Sequence, residues 1–181
     1  MSRLPIPSLD TSPVASLPLL DAVKKQLGVV PNLMKLMGNS PAALEGYLSL
    51  NGALAKGSLG SKTGERIALA IAEINRCNYC LSAHTYLATH IAKLDAAEIN
   101  ANRNGHSNDA KADAAVSFAA SIAQQRGHVS SDELQKIKAA GYSDAEVVEI
   151  VVHVALNTLT NYVNSVAETE IDFPVILANQ K

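Results

Sequence analysis

Apolar residues in this chain recur at helical spacing along most of its length. Leu17, Leu20, Val23 and Leu27 repeat every three or four positions, which gathers side chains on one face of a helix. Gly28 follows and is suited to end that helix. Pro31 can open a short helix holding Leu33, Met34, Leu36 and Met37, because proline is tolerated at the first helical position. Ser40-Pro41 pairs an N-cap residue with an N1 proline and predicts a helix to about Ala55. After the loop at 56–60, Ser61 is placed to cap a helix carrying Ile67, Leu69, Ile71 and Ile74, with a break at Asn75-Arg76. A further helix then runs from Cys77 to about His90. Asp95 with Glu98, and Ser143 with Glu146, both read as capping boxes. An Ala-rich helix over 109–124 and another over 131–139, ended by Gly141, lie between them.

The last segment, 143–166, has a rival reading. Val147, Val148, Ile150, Val151, Val152 and Val154 are β-branched and could form a buried strand. The length of the segment and its cap favour a helix. The predicted fold is all-α, a compact bundle of about eight helices with the CxxC at the start of one of them. Residues 1–16, rich in Pro and Ser, read as an extended N-terminal arm, and 17–181 as a single domain.

Composition narrows the function. Of 181 residues, 48% are hydrophobic and 18% charged, enough apolar material for a core. Net charge is -2, and no basic stripe exists beyond Lys24-Lys25, which argues against nucleic acid as a partner. Tryptophan is absent and aromatics are 4%, so base-stacking platforms are poorly provided for. Arg3, Pro5, Pro7, Asp10 and Pro13 interrupt any apolar leader. The stretch 150–167 lacks Asp, Glu, Lys and Arg but contains Asn157, Thr158, Thr160, Asn161, Asn164 and Ser165, too polar to face lipid. No membrane association and a cytoplasmic location are expected. Only two cysteines occur, Cys77 and Cys80, which precludes a disulfide framework of the extracellular kind.

Those two cysteines carry the chemistry. Cys77, Cys80 and His84 fall within about 60° of one another on a helix turning about 100° per residue. The i, i+3 spacing brings the cysteines near the Cα range of about 4.4–6.8 Å that a disulfide needs. The imidazole one turn beyond Cys80 can act as a base, or as a cation favouring thiolate. Inert buried cysteines are one alternative. Zinc is another, but His90, His106, His128 and His153 lack spacing to complete a site, so no metal and no organic cofactor are expected. A thioredoxin motif needs a preceding strand, and here a helix precedes. Upstream, Glu65 and Glu73 lie within about 80° of each other, so periodicity leaves open which of them reaches His84.

The pattern of Glu65, Cys77-x-x-Cys80 and His84 resembles the alkylhydroperoxidase D-like branch of the carboxymuconolactone decarboxylase family. Gly28-Val29-Val30-Pro31-Asn32 with Ser40-Pro41, and the tail from Asn161 through Glu168-Thr169-Glu170-Ile171-Asp172-Phe173-Pro174, resemble its peroxidase-related members. The resemblance implies an all-α fold, homo-oligomers (trimers or hexamers) and thiol-dependent reduction of a hydroperoxide, with an external dithiol or thiol protein as reductant. It makes Cys80 the nucleophile and Cys77 the resolving thiol, with His84 and Glu65 as a proton relay. One departure is Tyr79, where alkylhydroperoxidase D has a second histidine inside the CxxC. A phenol titrates near 10 and is no base at neutral pH, though it can donate a hydrogen bond. The helix dipole favours thiolate at Cys77 and the nearer imidazole favours it at Cys80; the full charge tips the balance to Cys80. Two other functions remain open: a non-enzymatic redox sensor or scaffold with a CxxC switch, and a carboxymuconolactone decarboxylase-type lactone enzyme.

Overall fold

The computed structural model describes residues 2–179. Among them lie nine α-helices and no strand. In chain order they are α1 (Leu17–Leu27), α2 (Asn32–Met37), α3 (Pro41–Leu54), α4 (Ser61–Ile74), α5 (Asn78–His90), α6 (Ala96–Arg103), α7 (Ala110–Gln125), α8 (Ser131–Ala139) and α9 (Asp144–Ala167). The β-branched run from Val147 to Val154 is helical throughout. Its start is held by a full capping box: Glu146 N–H donates to Ser143 Oγ at 3.2 Å, and Ser143 N–H donates to Glu146 Oε2 at 2.8 Å. Ser40 caps α3 by accepting from Ala43 N–H.

Two predicted caps differ. Gly60, at φ +78°, is the N-cap of α4, and Ser61 is already helical, with no side-chain cap. Asp95 does accept from Glu98 N–H, but Glu98 does not return the bond. Its carboxylate turns inward to Arg66 Nε at 2.6 Å and to the Ser107 hydroxyl and Asn108 N–H. Charge-assisted bonds in a buried setting outweigh a bond to an exposed backbone amide.

Helix α4 is the axis of the bundle and packs on α5, α6, α7 and α9. Ile67 to Ala72 are all buried, apolar on every side. Alanines 68, 70 and 72 let neighbours close in, while Ile67, Leu69 and Ile71 each contribute roughly 1.5–3 kcal/mol of burial. One apolar cluster joins Leu20, Met34, Met37, Leu44 and Leu81 around the two cysteines. Another joins Ile67, Ile71, Phe118, Ile122, Ile137 and Ile150 on the far side of α4.

Residues 2–16 contain 3-10 turns at Leu9–Thr11 and Val14–Ser16. The segment is tied down by Ser16 Oγ donating to Gly38 O and by Arg3 N–H donating to Ala167 O. After α9 the chain turns at Glu168, φ 48°, and its tail runs back over the start of α5. Tyr79 Oη donates to Asp172 Oδ1 at 2.8 Å, Ile176 N–H donates to Ser82 Oγ at 2.9 Å, and Ala178 N–H donates to Asn78 Oδ1 at 2.9 Å.

Candidate active site

The connection from α4 to α5 sets the cysteines in place. Asn75 ends α4 and Arg76 follows in the left-handed region at φ 54°. Cys77 N–H donates to Ala72 O and Arg76 N–H to Glu73 O, the two bonds of a Schellman turn. Cys77 therefore becomes the N-cap of α5, a position usually held by Ser, Thr, Asp or Asn. Its Sγ accepts from Cys80 N–H at 3.3 Å. Cys80 lies in the first turn, where the positive end of the helix dipole falls. Both thiols are free and buried.

His84 is one turn further along α5. Its Nδ1 lies 2.9 Å from Glu65 Oε2 on α4. Both side chains keep about a fifth of their surface exposed, 21% and 23%. Glu73 faces elsewhere: it pairs with Arg103 Nε at 2.7 Å and accepts from Asn179 N–H. The structure thus brings Glu65, Cys77, Cys80 and His84 together and leaves Glu73 outside. His153, by contrast, packs on Gly64, where a Cβ would come within 3.1 Å of the ring.

The electrostatics separate the two sulfurs. A hydrogen bond from the Cys77 thiol is the largest influence on Cys80. Burial opposes it, but the His84 charge and the Asn164 amide add to it, and the Cys80 thiol is lowered to about 6. Cys77 moves the opposite way, held protonated by that same bond and by burial. Burial works against a charged His84 ring, yet the Glu65 carboxylate and the Cys80 charge leave its pKa raised. Burial, then the Cys80 and Glu65 charges, push Tyr47 up to about 12.

Three residues at this site escaped the sequence reading of its chemistry: Tyr47 on α3, and Asn161 and Asn164 on α9. Asn164 Nδ2 donates to Cys80 Sγ at 3.2 Å, and Asn161 Oδ1 accepts from Asn75 Nδ2 at 2.9 Å. A signal for the asparagines existed. Asn157, Asn161 and Asn164 recur at i, i+4, i+7 and are buried with Thr160 on the inward face of α9, among Ile150, Val154 and Leu156. Tyr79, the residue inside the CxxC, is engaged elsewhere: its hydroxyl accepts from Leu33 N–H and donates to Asp172. Burial holds it well above the usual phenol range.

Cavities of about 320 and 290 Å³ lie between α5 and α6 and beside Tyr142, and neither is lined by the cysteines or His84. Among the described residues, no group of three or more His, Cys, Asp and Glu side chains is arranged to hold a metal ion. No helix of the described residues is long and apolar enough to cross a membrane.

This helical bundle is shared with known proteins. It resembles the alkylhydroperoxidase AhpD core of an uncharacterized peroxidase-related protein from Ralstonia eutropha JMP134. That match has 22% identity over 94% of this chain and 92% of the other, with a TM-score of 0.83. A peroxidase-related protein from Silicibacter sp. TM1040 has 22% identity over 93% and 91%, with a TM-score of 0.81. The debrominase Bmp8, in a cysteine-to-alanine variant complexed with 2,3,4-tribromopyrrole, has 19% identity over 94% and 91%, with a TM-score of 0.76. No functionally curated protein matches the chain significantly. Residues 41–125 match the sequence model of the carboxymuconolactone decarboxylase family. The match and the shared bundle together give the chain the fold of alkylhydroperoxidase D-like proteins.

Proposed function

We propose that the protein is a thiol-dependent peroxidase and disulfide oxidoreductase that reduces hydroperoxides through Cys77 and Cys80. The observation that carries this reading is the asymmetry of the pair: Cys80 Sγ lies in the first turn of α5 and accepts from Asn164 Nδ2, which favours thiolate there, while Cys77 at the N-cap is held protonated beside it. A thiolate nucleophile and a neighbouring resolving thiol are what peroxide reduction requires. Cys80 thiolate attacks the O–O bond and becomes a sulfenic acid, and the leaving oxygen takes a proton from His84, which Glu65 orients. Cys77 then attacks the Cys80 sulfur, releasing water and forming the disulfide. An external dithiol or thiol protein returns both cysteines to the reduced state. No cofactor enters this cycle.

The test begins with thiol titration before and after one equivalent of a hydroperoxide. Loss of both thiols as an intramolecular disulfide is expected, followed by multiple turnovers when a dithiol is supplied. Cys80→Ser should abolish even the first turnover, and Cys77→Ser should leave a trappable sulfenic acid on Cys80. Free thiols that persist through peroxide treatment would count against the assignment. The debrominase neighbour supplies a comparison compound, since consumption of a brominated pyrrole in preference to hydroperoxides would move the substrate class. A second reading, a redox switch, draws on the tail, which is fastened by Asn78, Tyr79 and Ser82 beside the cysteines. A switch would oxidise once and stop even with dithiol present.

A further inference from the structure

Helix α9 presents two asparagines to the nucleophile, and each uses only half of its amide. Asn161 is fully buried and Asn164 nearly so. Asn161 Oδ1 accepts from Asn75, but its Nδ2 has no partner among the described residues. Asn164 Nδ2 donates to Cys80 Sγ, but its Oδ1 has none. A buried polar atom left without a hydrogen bond is costly, and in native structures each such atom calls for an explanation, a catalytic role or a bound molecule among them. Here two occur three residues apart on one helix, one a donor and the other an acceptor, and the Asn164 amide lies directly on the Cys80 sulfur. A ligand that satisfies both must itself accept one hydrogen bond and donate one.

We infer that Asn161 and Asn164 form the seat for the terminal hydroxyl of a neutral hydroperoxide. Asn161 Nδ2–H donates to the oxygen that will be transferred, and Asn164 Oδ1 accepts its O–H. A carboxylate or halide offers no O–H for Asn164, so the seat favours the protonated peroxide over acceptor-only anions. In the step itself the Cys80 sulfur forms a bond to this oxygen as the O–O bond breaks. Sulfur is oxidised by two electrons, the peroxide is reduced by two, and the leaving oxygen takes the proton held by His84 to become an alcohol or water. The transferred hydroxyl stays on Cys80 as the sulfenic acid, held by the same two amides, until the Cys77 thiol displaces it as water. The inference rests on the peroxidase reading and deepens it.

The test compares two reactions of one sulfur. Peroxide oxidation needs the oxygen seat, and alkylation by iodoacetamide needs only the thiolate. Asn161→Leu keeps the volume and removes the donor; Asn161→Ser is the gentler variant should the leucine disturb folding. Both are made in a Cys77→Ser background, so that sulfenic acid formation on Cys80 is read in a single turnover. Alkylation is followed across pH and normalised to the thiolate fraction. Loss of one donor of the oxyanion-hole type should slow oxidation by about 10²-fold, while normalised alkylation changes little. If the two rates fall together, or neither falls, the amides serve only the thiolate or a bound water and the seat is overturned. If the parent chain, with both asparagines intact, is alkylated readily yet is oxidised by no hydroperoxide, the peroxidase reading fails and takes the seat with it.

Discussion

Cys80 owes its acidity first to Cys77 and only then to His84. Its alkylation rate should therefore rise with pH through about 6 and flatten above neutrality, whereas an unperturbed thiol would still be rising near 8.5. Cys77→Ala should move that profile upward more than His84→Ala does, an order read from iodoacetamide kinetics across pH. Glu65→Ala should act in the same direction through His84, and Glu73→Ala should leave the profile in place, because Glu73 serves Arg103 and the tail. The cysteines and His84 were legible in the sequence because they share one helix, where spacing alone sets angle. The choice between Glu65 and Glu73 was not, since it depends on how α4 rolls against α5 and α6. Asn164 lies 84 positions from Cys80, beyond any local pattern.

At the scale of elements, the start of α5 is a junction. The Schellman turn aims Cys77, and the next turn fastens α2 and the tail through one phenol. Tyr79→Phe should cost about 1–3 kcal/mol in urea unfolding, the loss of buried partners for Leu33 N–H and Asp172. It should leave the pH profile of Cys80 alkylation nearly unchanged. A second junction is Glu98, through which α6 holds α4 and the loop at 107–108. Burial raises its pKa, but bonds from Ser107, Asn108, Asn102 and Arg66 prevail and lower it to about 2. Its stabilising effect is complete above about pH 4.3, the ordinary glutamate value, and fades as the pH falls toward 2. Glu98→Gln should lose roughly 3–5 kcal/mol at neutral pH, because Arg66 is left buried without its charge partner; denaturant titration reads the loss. Helix caps at Ser40 and Ser143 were legible because they are exposed and local. Glu98 misled as a capping-box residue because a buried arginine from another helix competes for it.

At the scale of the molecule, α9 has an outward face as unusual as its inward one. Val148, Val151, Ala155, Leu159, Tyr162 and Val166 are exposed along it, with no charged residue among them. The stripe spans about 27 Å at 1.5 Å per residue. An uncharged apolar face of that length suits a second copy of the chain, the homo-oligomer that the family resemblance implies. Val151→Lys with Tyr162→Lys should shift the species seen by light scattering toward monomer, and a parent protein already monomeric at micromolar concentration would sink the proposal. The inward face of α9 bears on biosynthesis. Cys80 is made long before Asn161 and Asn164, the residues that close over it. On a growing chain that sulfur is an ordinary thiol, mostly protonated at neutral pH and slow to react. The part of its activation that Asn164 supplies arrives only when the last helix docks, so unfinished chains carry a less reactive sulfur than the finished protein.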